Sequence, residues 1–92
     1  MTRQLRDLEA RIARIFVEKL QLERPTPELD LFETSTLDSL RLVRLLAELE
    51  GALGVRLSME ELEFEDFRTL AGIARFMAAR LPDYPSRMTT DL

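Results

Sequence analysis

Between Arg3 and Leu22 apolar residues return at steps of three and four. Leu5, Leu8, Ile12, Ile15, Phe16 and Leu20 fall on one stripe, while Arg3, Arg6, Asp7, Glu9, Arg11, Arg14, Glu18 and Lys19 fill the other positions. That period predicts an amphipathic helix over 3–22 with one buried face. Pro25 and Pro27 are expected to end it, because the residue before a proline is pushed out of helical geometry. A loop of about fifteen residues then leads to Asp38, and loops of that length in small domains are usually functional or partly structured. Leu29, Leu31 and Phe32 are its expected anchors into the core. Thr34-Ser35-Thr36 is polar and turn-prone, and delivers the chain to the next helix.

The second helical pattern runs from Ser39 to about Leu53. Asp38 is its expected N-cap, since a carboxylate there accepts an early orphan N–H. Leu37 and Leu42 stand at the spacing of a hydrophobic staple around that cap. Gly51 and Gly54 are expected to fray and stop the helix. At about 100° per residue two apolar arcs separate. Leu42, Leu45, Leu46, Leu49 and Leu53 form a core arc. Leu40, Val43 and Ala47 form a second one, beside Arg44 and next to the serine end. This second arc is either a contact surface or packing beneath the preceding loop. Ser39 itself is expected to expose its hydroxyl at the positive end of the helix dipole. A phosphodiester placed there would gain roughly 0.3–1 kcal/mol.

Farther on, Ser58-Met59-Glu60-Glu61 has capping-box spacing and predicts a short helix from Met59 to Phe64. Glu60, Glu61, Glu63, Glu65 and Asp66 make this stretch acidic. A metal site is disfavoured here, because soft divalent ions want His or Cys and hard-cation loops want a central glycine. A solvated or partner-docking face fits better. Thr69 is the expected N-cap of a last helix from Leu70 to about Arg80, with Leu70, Ile73, Ala74, Met77 and Leu81 on one side. Pro82 stops it, and residues 82–92 read as a flexible tail behind a single domain over 1–81.

Composition narrows the chemistry. A chain of 92 residues makes one domain, and buries about 60–70% of its unfolded surface without staples. With no cysteine there is no disulfide framework, and with no histidine the commonest general base and metal ligand are missing. The net charge of −4 argues against nucleic acid as a partner. No apolar run of about 18 residues is present to cross a membrane. Met1-Thr2-Arg3-Gln4 leads into an amphipathic segment rather than a signal peptide, so the expected location is the cytoplasm.

Asp38-Ser39-Leu40 at the head of a Leu/Val-rich helix, with Leu31-Phe32 upstream and an acidic stretch downstream, resembles the attachment region of acyl and peptidyl carrier proteins. The likeness covers roughly residues 3–81. It implies an all-α, four-helix carrier-protein bundle with a short third helix and a long loop between helices one and two. By that resemblance Ser39 carries a 4'-phosphopantetheine arm, and Asp38 is the acidic residue before it. Leu40, Val43 and Ala47 match apolar positions that face partner enzymes. The implied partners are a phosphopantetheinyl transferase using Mg²⁺ and coenzyme A, a loading ligase or acyltransferase, and downstream acyl-processing enzymes. The chain itself would catalyse nothing, would work as a monomer, and would hold its cargo as a thioester on the imported thiol.

Two features depart from that family's pattern. A glycine usually stands two to four residues before the serine, where this chain has Ser35, Thr36 and Leu37, so a different loop geometry is expected there. Fatty-acid carriers present an acidic recognition helix, whereas this one carries Arg41 and Arg44, with Glu48 one turn on. Both arginines are therefore candidate partner contacts; the plainer account of Arg44 is an i,i+4 pair with Glu48, worth about 0.3–0.5 kcal/mol. Asp30-Leu31-Phe32-Glu33-Thr34, Leu37-Asp38-Ser39 and Phe67-Arg68-Thr69 look more like D-alanyl carrier proteins and the stand-alone carriers of secondary-metabolite pathways. The main alternative is a helical interaction domain in which Ser39 is never modified. A small enzyme using Asp38, Ser39 and the acidic cluster ranks last, because Ser39 has no evident base.

Overall fold

In a computed structural model, which describes residues 2–81, Leu8, Ile12, Phe16, Leu45, Leu49, Ile73 and Met77 meet in one core from which solvent is excluded. The tail expected over 82–92 lies outside the described residues. Three α-helices supply that core: α1 (Thr2–Glu18), α2 (Ser39–Leu53) and α3 (Leu70–Ala78). Two 3₁₀ turns, Met59–Glu61 and Phe64–Phe67, connect α2 to α3, and no strand occurs among the described residues. The fold is therefore all-α. α1 packs against both other helices, and α3 also packs against the second 3₁₀ turn.

Arginines tie the helices end to end. The Arg11 guanidinium donates to the Ala52 carbonyl at 3.4 Å, and Arg44 donates to the Lys19 carbonyl at 3.1 Å. The middle of α1 thus lies beside the end of α2 and the end of α1 beside the first half of α2, so the two run antiparallel. Each guanidinium meets carbonyls that a helix C-terminus leaves without intrahelical partners.

Several boundaries differ from expectation. α1 stops at Glu18, well before Pro25. Gln21 turns into the left-handed region at φ 58°, and the N–H groups of Leu20 and Leu22 close back on the carbonyls of Ile15 and Phe16. This closure half-buries Leu20 and Leu22 against the core, so packing ends the helix before a proline can. Gly51 sits inside α2, and Gly54 alone stops it, at φ 68° with its N–H on the Glu50 carbonyl. α3 ends at Ala78 rather than Arg80, its last turn tightened by bonds from Arg80 to Met77 and from Leu81 to Ala78.

The expected third helix over 59–64 is the largest departure: four helices are expected, and three α-helices form among the described residues. Ser58 accepts the Glu60 N–H at 3.2 Å, but the helix it starts lasts only one 3₁₀ turn. Glu63 then takes an extended conformation, φ −125° and ψ 138°, before the second turn begins. Five carboxylates in seven positions would stack like charges at helical spacing, which is unfavourable. The break also lets Leu62 half-bury and Phe67 bury fully.

Candidate functional site

The segment ahead of α2 is tied down residue by residue. The Asp30 carboxylate accepts the N–H groups of Phe32 and Glu33 at 3.1 and 2.9 Å, which builds a helical turn. The Arg68 guanidinium reaches the same carboxylate at 3.1 Å. The backbone hydrogen bonds of Glu33 and Phe32 and the nearby guanidinium hold the Asp30 carboxyl below the usual carboxylate range, the Glu33 bond contributing most. Leu31 is fully buried, its N–H on the Arg68 carbonyl at 2.7 Å, and Leu37 returns its N–H to the Leu31 carbonyl at 2.9 Å. Phe32 half-buries against the core, while Leu29 is 36% exposed and lies outside it.

Ser35 has a φ of 62°, in the left-handed region that glycine favours. Serine holds here a conformation that glycine adopts more readily. The Arg41 guanidinium holds that residue by donating to its carbonyl at 3.2 Å.

Asp38 caps α2 as expected. Its backbone is extended and its carboxylate accepts the Arg41 N–H at 2.8 Å. Leu37 and Leu42 both bury, consistent with the staple. Ser39 is then the first helical residue and is exposed. Of the two apolar arcs, the core arc buries Leu42, Leu45, Leu46 and Leu49. The second does not pack beneath the loop: Leu40 is 80% exposed, Val43 is 54% exposed, and Ala47 is also exposed.

An open cleft of about 310 Å³ begins at Ser39. Ser39, Leu42 and Val43 form its α2 side, and Leu62, Glu63, Phe64 and Phe67 its 3₁₀ side. Phe64 is 64% exposed and meets Phe32 edge-to-face at 5.4 Å. The sequence pattern did not single out Leu62, Phe64 or Phe67 for this site; an aromatic inside an acidic run was the available signal for Phe64. Arg44 bonds to Lys19 rather than pairing with Glu48. Among the described residues no three carboxylates converge to hold a metal ion.

This arrangement offers a free hydroxyl at a helix start beside an apolar trough. Residues 10–77 match the profile of the phosphopantetheine attachment site family. The chain belongs to that family. A phosphopantetheine attachment domain takes its 4'-phosphopantetheine covalently and acts as a carrier, not as an enzyme. Two similar proteins are the D-alanyl carrier proteins of Lactococcus lactis subsp. cremoris, 45% identical over 47 residues, and of Latilactobacillus sakei subsp. sakei, 43% identical over 42 residues. These stretches cover 51% and 46% of this chain and 60% and 54% of those relatives, so the chain spans little more than half the length of the carriers it matches. The residues present fit a phosphopantetheine group: a hydroxyl open to solvent, a helix start that favours a phosphodiester, and apolar walls alongside.

Proposed function

We propose that Ser39 is the residue that takes the 4'-phosphopantetheine, and that the protein is a cytoplasmic carrier presenting an aminoacyl or acyl cargo to separate enzymes. The exposed Ser39 hydroxyl at the first residue of α2, opening on an apolar cleft, carries this reading. Asp38 holds the helix start rigid, and the dipole of α2 favours the negative phosphodiester. The bound group would supply a thiol, which this cysteine-free chain lacks, to hold cargo as a thioester.

Leu40, Arg41, Val43, Arg44 and Ala47 are the residues we assign to partner enzymes. Support comes from their exposure on one side of α2 next to Ser39. The partners are a phosphopantetheinyl transferase, a loading ligase or acyltransferase, and enzymes that process the cargo. In this reading the fold is the four-helix carrier bundle with its third helix reduced to two 3₁₀ turns. The similarity to D-alanyl carrier proteins favours a small aminoacyl cargo.

Intact-mass measurement tests the attachment. Wild type and Ser39→Ala are incubated with coenzyme A, Mg²⁺ and a promiscuous transferase. The phosphopantetheine mass gain is expected in wild type only. No gain with several transferases would leave an unmodified helical interaction domain as the better account.

A further inference from the structure

The face around Ser39 is ordered by charge. At about 100° per residue, Ser39 and Val43 border the cleft, Leu40 and Ala47 come next around α2, then Arg44, then Arg41. Across the cleft stands Glu63, and Glu60 precedes it in the first 3₁₀ turn, both exposed. Leu40, Val43 and Phe64 lie between, each more than half exposed. An apolar centre with a charged rim is the anatomy of a protein interface rather than of ordinary surface.

The two arginines of α2 differ from Arg68 and Arg80. Arg68 pairs with Asp30 and Glu65, and Arg80 with Glu61. Among the described residues neither Arg41 nor Arg44 has a carboxylate within ion-pair distance. Each is instead held by one hydrogen bond to a carbonyl, on Ser35 and Lys19, which fixes the side chain without neutralising it. The guanidinium donors left over are preorganised to receive carboxylates. Glu48, half-buried one turn on, is not paired with either. Glu63 across the cleft, and Glu60 in the 3₁₀ turn before it, are likewise unpaired among the described residues.

We propose that this surface is bipolar and fits a partner enzyme with carboxylates where it meets α2, Lys or Arg where it meets the 3₁₀ turns, and apolar sockets for Leu40 and Phe64 between them. The proposal rests on the carrier function above and deepens it by naming the partner's rim chemistry. A partner with a uniformly basic rim meets Arg41 and Arg44 with like charge, which slows encounter and costs fit.

The test compares two purified transferases on Ser39, one with a basic carrier-contacting rim and one with mainly apolar contacts. The readout is the ratio of their kcat/KM values, basic-rimmed over apolar. In Arg41→Glu/Arg44→Glu that ratio is expected to rise about tenfold at low salt, and to fall back toward the wild-type ratio near 200 mM, where screening is short-ranged. Arg41→Lys/Arg44→Lys keeps the charge and should restore the wild-type ratio. Glu60→Lys/Glu63→Lys removes no contact to a loop carbonyl and should lower the ratio; it decides the matter should the arginine variants fail to fold in thermal melts. An unchanged ratio in folded, modified proteins overturns this proposal alone. No modification by either enzyme, in any of the proteins, overturns the carrier function and this proposal with it.

Discussion

Arg68 holds the loop ahead of α2 twice: its guanidinium lies 3.1 Å from the Asp30 carboxylate, and its carbonyl accepts the Leu31 N–H at 2.7 Å. The same residue therefore connects the entry to Ser39 with the 3₁₀ side of the cleft. A disturbance of this contact would reach both sides of the site.

The Asp30 carboxyl titrates below its ordinary range in the folded protein. A lowered folded pKa means that the stabilisation is complete above the unfolded value, about 3.9, and is lost as pH falls through the folded one. Asp30→Asn is expected to lower the melting temperature at neutral pH. Its deficit against wild type should shrink as the buffer is taken below about pH 4. Paired thermal melts from pH 7 to pH 2.5 check this, and a deficit that stays constant over that range counts against a carboxylate stabilised by the Glu33 N–H and Arg68.

Ser35 carries a left-handed backbone that costs a non-glycine residue roughly 1–2 kcal/mol, against about 0.5–1 kcal/mol of extra chain entropy for glycine. Ser35→Gly is therefore expected to stabilise the protein by roughly 0.5–1 kcal/mol. Urea denaturation measures the difference, with an unchanged slope showing that only the turn was affected.

Asp38→Ala removes the acceptor of the Arg41 N–H and should cost about 1 kcal/mol, whereas Asp38→Asn keeps an equally good cap and should cost a few tenths. Hydrogen exchange at residues 39–42 should accelerate in the alanine variant and much less in the asparagine one. Equal acceleration in both would mean that the carboxylate charge, not the cap, holds the helix start.

Gly72 lets α3 start close beneath the second 3₁₀ turn. A Cβ there would come within 2.9 Å of the Asp66 carbonyl oxygen, a backbone atom that cannot swing aside. Gly72→Ala is expected to destabilise the protein by about 1–3 kcal/mol, as overpacking does elsewhere. Denaturant midpoints test it, and a neutral result would show that the turn shifts freely.

What was legible in the chain followed from short-range chemistry. Asp38 and Thr69 cap helices through N–H groups three residues away, the latter from Gly72 at 3.0 Å, so their roles are written locally. The stripes of α2 and α3 repeat often enough to show their buried sides. Long-range demands were not visible. Nothing near Arg44 announces that it bonds to Lys19, and nothing near Gln21 announces a left-handed closure fixed by Leu20 and Leu22. Ser58 signals a helix start, but burying Phe67 and dispersing five carboxylates broke that helix in two. Leu29 looked like an anchor by type alone and lies exposed. The exposed helix start at Ser39 was legible because an acid, a serine and a leucine at a helix start form a local pattern. The place of Phe64 in the cleft was not legible, because it depends on residues across the cleft and on Phe32.

The two banks of that cleft differ in how many backbone ties hold them. One bank is a helix of about four turns, its amides bonded in register. The other is a pair of single turns separated by an extended glutamate. Local opening is therefore cheap on one bank and expensive on the other. Ser39 therefore stands on the stiff bank, and Leu62 and Phe64 on the pliant one.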